Sequence, residues 1–229
     1  MLFLVGYDEA QFTRSLESFD TRAAMYIAEF DASLTGAGVL IYQRVNALEV
    51  CVAATAMDLR GLNFGSDSSF QNTAEYIGAI IGILCLLKLG VSNEDIELRG
   101  DSVSALTWAR TERPRGTNAA MVFTLLCVSH GIEVKEAIHI GGHANHRCDQ
   151  LSRISESGMA VTEVLASIGL GEIQNLMLER DSTAMKVVDC CRPDRYFNAE
   201  EDFIAFWKEI KRTVGSSAVT NPPSRLLFN

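Results

Sequence analysis

Proline is scarce in this chain: there are four in 229 residues, and two of them sit side by side at Pro222 and Pro223. No Pro-rich linker or low-complexity tract divides the chain, and no internal repeat appears. Its six cysteines, at 51, 85, 127, 148, 190 and 191, contain no C-x-x-C pair, which removes the zinc-ribbon and thioredoxin-type readings. Cys85 and Cys127 lie inside apolar runs, where a thiol behaves as a small hydrophobe. A reducing intracellular compartment, cytoplasm or nucleus, is therefore expected. The adjacent Cys190 and Cys191 read as structural, with metal binding or oxidation as the alternative.

Long apolar runs are also missing. The opening MLFLVGYDEAQ has no basic flank and soon reaches acidic residues, so it fits neither a signal peptide nor a span. The stretch from Ile77 to Leu89 falls short of a span and reads as a buried helix, so no membrane partner is expected. Basic charge is short too, with 20 Lys and Arg against 29 Asp and Glu and a net charge of -9. Nucleic-acid binders more often carry a basic excess, so this balance counts against such a partner. Acids gathered to hold divalent ions would escape the objection, because the bound ions invert the local field.

With 48% hydrophobic and 21% charged residues, the chain has enough apolar material for a substantial core. Residues 24–59 hold three strand-like runs, AMYIAEFDAS, GVLIYQRV and EVCVAATAMDL, separated by LTGAG and by Asn46-Ala47. They predict an antiparallel meander. After the polar loop GLNFGSDSS comes a helix from about Ser69 to Leu89, apolar nearly all round and closed by Gly90. DIELRG predicts a fourth strand, SVSALTWAR a short helix, TERPRG a turn, Asn118 to His130 a helix, and VKEAIHI a fifth strand, with another helix from Asn145. The expected fold class is α/β: a five-stranded mixed sheet, three antiparallel strands and two parallel, flanked by helices. The organisation reads as an N-terminal segment 1–22, a main domain 23–157, and a helical C-terminal extension 158–229. The extension includes the helix NAEEDFIAFWKEIKRTV and a poorly ordered tail.

Four acids stand out within this frame. Asp31 interrupts the apolar strand IAEFD, where a carboxylate is costly without a partner or a metal. Glu75 sits one turn into the greasy helix, and Asp101 directly follows the fourth strand, at a carboxyl end where ligand sites gather. Asp149 lies four residues after Asn145, on one helical face with it. Each alone has a structural explanation: Asp101 or Asn145 as a helix cap, Glu75 as a solvated residue, Asp31 as a turn former. Together, two acids at strand ends and two on flanking helices define a candidate two-metal site.

The segments AEFDASLTGAGVLIY, QNTAEYIGAI, LRGDSVSALTWA and GGHANHRCDQLSR resemble, in order, the four signature blocks of type 1 ribonuclease H. The resemblance covers about residues 24–155. It implies a ribonuclease H-like fold and hydrolysis of the RNA strand of RNA–DNA hybrids with two Mg2+ ions, for which Mn2+ substitutes. It also implies Asp31 as the ligand shared by both ions, Asp149 on the nucleophile side, and Glu75 and Asp101 on the other. His143 would assist proton transfer or product release. Asn72 and the backbone around Gly36 and Gly38 would sense the 2′-hydroxyl, and Asn145 would contribute to substrate binding. The cluster Arg110, Arg113 and Arg115, the one local basic concentration, is the candidate phosphate grip, with a solvated turn as the alternative. Two departures stand beside these matches. Only Ala144 separates His143 from Asn145, a shortening that resembles the reverse-transcriptase-associated variant of retroelements, and a basic protrusion is absent. A reverse transcriptase or another subunit is thus a candidate protein partner. The rival readings are an inactive scaffold module of the same fold and a DNA exonuclease or junction resolvase.

Overall fold

The computed structural model describes residues 23–62, 68–111 and 118–192, together with the helical residues 204, 205 and 208. The N-terminal segment 1–22, the turn carrying Arg113 and Arg115, and nearly all of the helix expected over NAEEDFIAFWKEIKRTV lie outside the described residues.

Strands β1 (Tyr26–Ala32), β2 (Gly36–Val45) and β3 (Leu48–Asp58) form the antiparallel meander. Helix α1 (Ser68–Lys88) crosses the sheet to β4 (Asp95–Gly100), which runs parallel to β1. Helices α2 (Val103–Thr111) and α3 (Asn118–His130) then lead to β5 (Glu133–His139), parallel to β4. The chain continues through α4 (His146–Ser152), α5 (Ile154–Ser157) and α6 (Val161–Ser167), a short strand β6 (Gln174–Asn175), and α7 (Ser182–Cys190). The sheet order is β5-β4-β1-β2-β3-β6. This is a mixed sheet flanked by helices, as expected, with six strands in place of five.

The additional strand comes from the segment expected to be helical. Gln174 and Asn175 pair with Ala53 and Ala54 on the outer edge of β3, and the Leu176 N–H donates to the Ala54 carbonyl at 2.9 Å. Two residues are too few for any alternation to show in the sequence. Helix α7 shares the main core: its Ala184, Val187, Val188 and Cys190 are buried in the cluster that holds α1 and α3. Asp181 fixes α7 by accepting from Thr183 and Ala184 N–H and from Lys88 Nζ at the end of α1. Cys190 and Cys191 are buried and form no disulfide.

Helices cover both faces of the sheet. On one face α1 packs with α2, α3 and α7 over Ala28, Phe30 and Ala32 of β1. By length and composition Phe70–Lys88 could cross a membrane, but 72% of that window is buried inside the protein, so it serves as the central core helix. It closes at Gly90, whose φ of 81° lets Val91 N–H reach back to the Leu86 carbonyl at 3.0 Å. On the opposite face α4 and α6 pack over Leu40, Ala54 and Ala56. Strand β1 is thus covered on both sides, and its period-two alternation turns Glu29 and Asp31 toward α4.

Candidate metal centre

Asp31, the penultimate residue of β1, is 5% exposed. Two residues of α4's inner face hold it: Ser152 Oγ donates to Oδ2 at 2.6 Å and Asn145 Nδ2 to Oδ1 at 3.3 Å. Asn145 also donates to the Phe30 carbonyl at 3.1 Å. It occupies the N-cap position of α4 without making a side-chain cap, so its amide serves β1 rather than its own helix.

Glu75 reaches the same strand end from α1. Its Oε2 accepts from the Ala32 N–H at 3.2 Å, and its Oε1 accepts from Gln71 Nε2 at 2.9 Å. Gln71, one turn earlier, also donates to the Ala32 carbonyl. Asp101 follows β4 and is half-buried, under the Gly141–Gly142 turn: a Cβ on Gly142 would lie 3.9 Å from Asp101 Oδ2. One carboxylate oxygen from each of Asp31, Glu75 and Asp101 lies within 4.8 Å of the others.

The fourth acid stands apart. Asp149 is half-exposed, and its Oδ1 accepts from Arg153 Nε at 2.7 Å, an i,i+4 pair along α4. Its charge still bears on Asp31. His143 is exposed on the turn entering α4, and its carbonyl meets His146 Nδ1. Asn72 is half-buried on α1, one residue beyond Gln71. Arg110 is exposed near the far end of α2, seven residues from Val103, or about 10 Å along the helix from the acidic cluster's end. There it lines a cleft of about 500 Å³ with Phe123, Cys127 and Glu133, so it is not part of the acidic cluster.

Gly36 and Gly38 are strand residues of β2 rather than hairpin connectors, and the structure gives both a packing reason. A Cβ on Gly36 would sit 2.3 Å from the Ser152 carbonyl, and one on Gly38 would sit 2.5 Å from the Cys148 carbonyl. Only a bare backbone lets α4 come close enough for residues 145 and 152 to reach Asp31.

Burial dominates the electrostatics. It pushes the Asp31 carboxyl up to about 6; the Ser152 hydrogen bond opposes this, and the charges of Asp101 and Asp149 add to it. Glu75 is pushed up to about 8, by burial first and then by the charge of Asp31. Crowded buried carboxylates of this kind are short of a positive partner. The donor set is all oxygen, which suits a hard divalent cation, and a further buried oxygen, Asn145 Oδ1, has no hydrogen-bond partner among the described residues. The residues present therefore fit a Mg2+- or Mn2+-type site.

Ser152 and Gln71 were not legible as site residues. The available signals were spacing alone: Gln71 precedes Glu75 by one turn, and Ser152 follows Asn145 by two.

No family model matches the sequence, and no curated protein matches it. Among solved structures the chain is similar to RNase H1 from the halophilic archaeon Halobacterium salinarum NRC-1, at 20% identity over 58% of this chain and 98% of that one, with a TM-score of 0.43. It is similar to the N-terminal RNase H domain of a Mycobacterium tuberculosis protein, at 13% identity over 60% and 100% of the two chains, with a TM-score of 0.40. It is also similar to an RNase H1 isolated from compost, at 16% identity over 60% and 100%, with a TM-score of 0.39. Likeness at this level assigns no activity.

Proposed function

We propose that this protein is a metal-dependent endonuclease that hydrolyses the RNA strand of RNA–DNA hybrids. The observation that carries the reading is the convergence of Asp31, Glu75 and Asp101, from β1, α1 and the end of β4, on a single point at the carboxyl ends of the neighbouring inner strands β1 and β4. The first three of the four signature-like blocks supply these same acids, and the fourth supplies Asp149.

Asp31, Glu75 and Asp101 would hold the divalent ions, with Asp149 joining them on exchanging its Arg153 partner. Bound there, two such ions would lower the pKa of an attacking water and stabilise charge on the leaving oxygen. Gln71 and Asn145 keep Glu75 and Asp31 in place, so little reorganisation is left for the moment of reaction. His143, open to solvent beside the Asp101 turn, is the candidate for proton exchange. The Asn72 side chain is the candidate for 2′-hydroxyl recognition, whereas Gly36 and Gly38, expected to share that role, are covered by α4; Arg110, Arg113 and Arg115 are the candidates for phosphate contact. A reverse transcriptase or another nucleic-acid-gripping subunit would complement a chain of net charge -9. Six thiols without a disulfide suit the cytoplasm or nucleus.

The test is one cleavage assay on RNA–DNA hybrid, double-stranded RNA and double-stranded DNA, with Mg2+ or chelator, for the parent and Asp31→Asn. The expected result is Mg2+-dependent cleavage of the hybrid alone, lost in the variant. Equal cleavage of DNA would move the protein to another nuclease class, and inactivity on all three would leave the scaffold reading.

A further inference from the structure

Helix α4 meets β1 with polar side chains. Asn145, Cys148 and Ser152 project from one face, and each donates to β1: Asn145 to the Phe30 carbonyl and Asp31, Cys148 Sγ to the Glu29 carbonyl at 3.4 Å, and Ser152 to Asp31. Of the three, Ser152 makes the shortest contact, 2.6 Å to Asp31 Oδ2, in the range of a charge-assisted O–H···O bond.

The hydroxyl has one proton and two acceptors in reach, Asp31 Oδ2 and the Asp149 carbonyl at 2.9 Å. The carbonyl does not need it, because it already accepts the Arg153 N–H along the helix at 3.3 Å. Asp31 Oδ2 has no other donor among the described hydrogen bonds. Ser152 is fully buried, so no water would replace the hydroxyl at once. The backbone of residue 152 is placed independently, by the close approach of Gly36 beneath its carbonyl. The hydroxyl therefore orients the carboxylate, while β2 orients the helix.

We propose that Ser152 is a positioning residue: its hydroxyl holds the Asp31 carboxylate turned toward Glu75 and Asp101 and so sets the protein's affinity for divalent cations. The proposal deepens the nuclease reading and rests on its metal site, though on no particular nucleic-acid substrate. Loss of an outer partner that orients a ligand weakens metal binding by about 10-fold to 100-fold. Ser152→Ala removes only the hydroxyl and leaves the Gly36 contact in place.

The experiment is calorimetric titration of the full chain, freed of metal, with Mn2+ alone, for the parent, Ser152→Ala and Ser152→Cys, beside melting curves of each in chelator. Ser152→Ala is expected to bind Mn2+ about tenfold more weakly than the parent. Ser152→Cys, which keeps a weaker donor of similar size, should fall between them and carries the test if the alanine variant is not recovered folded. In hybrid cleavage the Mn2+ requirement should rise by the same factor while KM for the hybrid holds. A parent that binds Mn2+ with variants that bind it equally well, even if they melt lower, would make Ser152 a packing residue and overturn the proposal alone. A parent that binds no Mn2+ would overturn the metal site and the proposal with it. Cleavage of the wrong substrate by a Mn2+-binding parent would overturn only the substrate assignment.

Discussion

Replacing Asp101 by Asn should stabilise the metal-free protein, and more so as pH rises. One oxygen of Asp101 lies within 4.8 Å of oxygens from both Asp31 and Glu75. At an effective dielectric of about 20, two unit charges at that separation repel by about 3 kcal/mol. Asp101 is half-buried, so solvent reduces this to about 2 kcal/mol for the ionised cluster. Asp31 and Glu75, raised to about 6 and about 8, carry folded-state values above their unfolded ones. The native state therefore binds extra protons, and the stability that these two groups contribute is complete below about pH 4 and is lost as pH rises through 6 and then 8. In chelator the parent's melting temperature should fall from pH 5 to pH 9. Asp101→Asn should match the parent at pH 5 and exceed it at pH 9 by about 4–8 °C, the shift expected of 2 kcal/mol in a domain of this size. Saturating Mg2+ should raise the parent more than the variant, because a ligand stabilises in proportion to its affinity for the folded state. Melting both proteins across this pH range, with and without Mg2+, is the measurement. A parent profile flat in chelator, or a variant that melts lower at pH 9, would refute the crowded-carboxylate account and leave Asp101 as a structural cap.

Gly38→Ala should cost about 3 kcal/mol or more, since its Cβ would lie 2.5 Å from both the Cys148 carbonyl and Leu151 Cβ and force α4 outward. Chemical denaturation reads the loss, and Mn2+ binding should fall with it as Ser152 is carried away from Asp31. Ala47→Gly should instead stabilise by about 1 kcal/mol, because Ala47 holds a left-handed φ of 64° in the two-residue β2–β3 turn. A melting temperature unchanged or lower in that variant would show the turn to be unstrained.

The order of elements was legible because run lengths, alternation and the punctuating residues Asn46, Ala47 and Gly90 agree with one another. Three of the acids were legible for a related reason: Asp31 breaks an apolar strand, Glu75 interrupts a greasy helix near its start, and Asp101 directly follows a strand's carboxyl end. The orientation of Asp149 was not, because a local i,i+4 partner, Arg153, competes for its carboxylate and nothing in the spacing says which side wins. The neighbourhood of Glu97 was hidden for a different reason. Glu97 is 1% exposed, held by Arg44 Nη2 at 2.6 Å from β2 and by Arg99 Nε at 2.5 Å. Arg44 lies 53 residues away in sequence, and only the strand order brings it alongside.

The division of β1 accounts for both the site and the helix that serves it. Ala28, Phe30 and Ala32 feed the core beneath α1, whereas Glu29 and Asp31 face α4 and are both raised by burial. An apolar α4 would take from those buried carboxylates the donors that α4 gives them, at a cost of about 1–3 kcal/mol for each unpaired group. The inner face of α4 therefore carries an amide, a thiol and a hydroxyl where a core helix would carry leucines, and the bare backbone at Gly36 and Gly38 brings those short side chains within reach. The same contacts leave Asp31 short of positive charge. Donors from Asn145 and Ser152 orient it without neutralising it, Arg153 is paired with Asp149, and carboxylate oxygens of Glu75 and Asp101 lie within 4.8 Å. This arrangement fits a divalent cation at the end of β1, where α1, α4 and the turn after β4 converge.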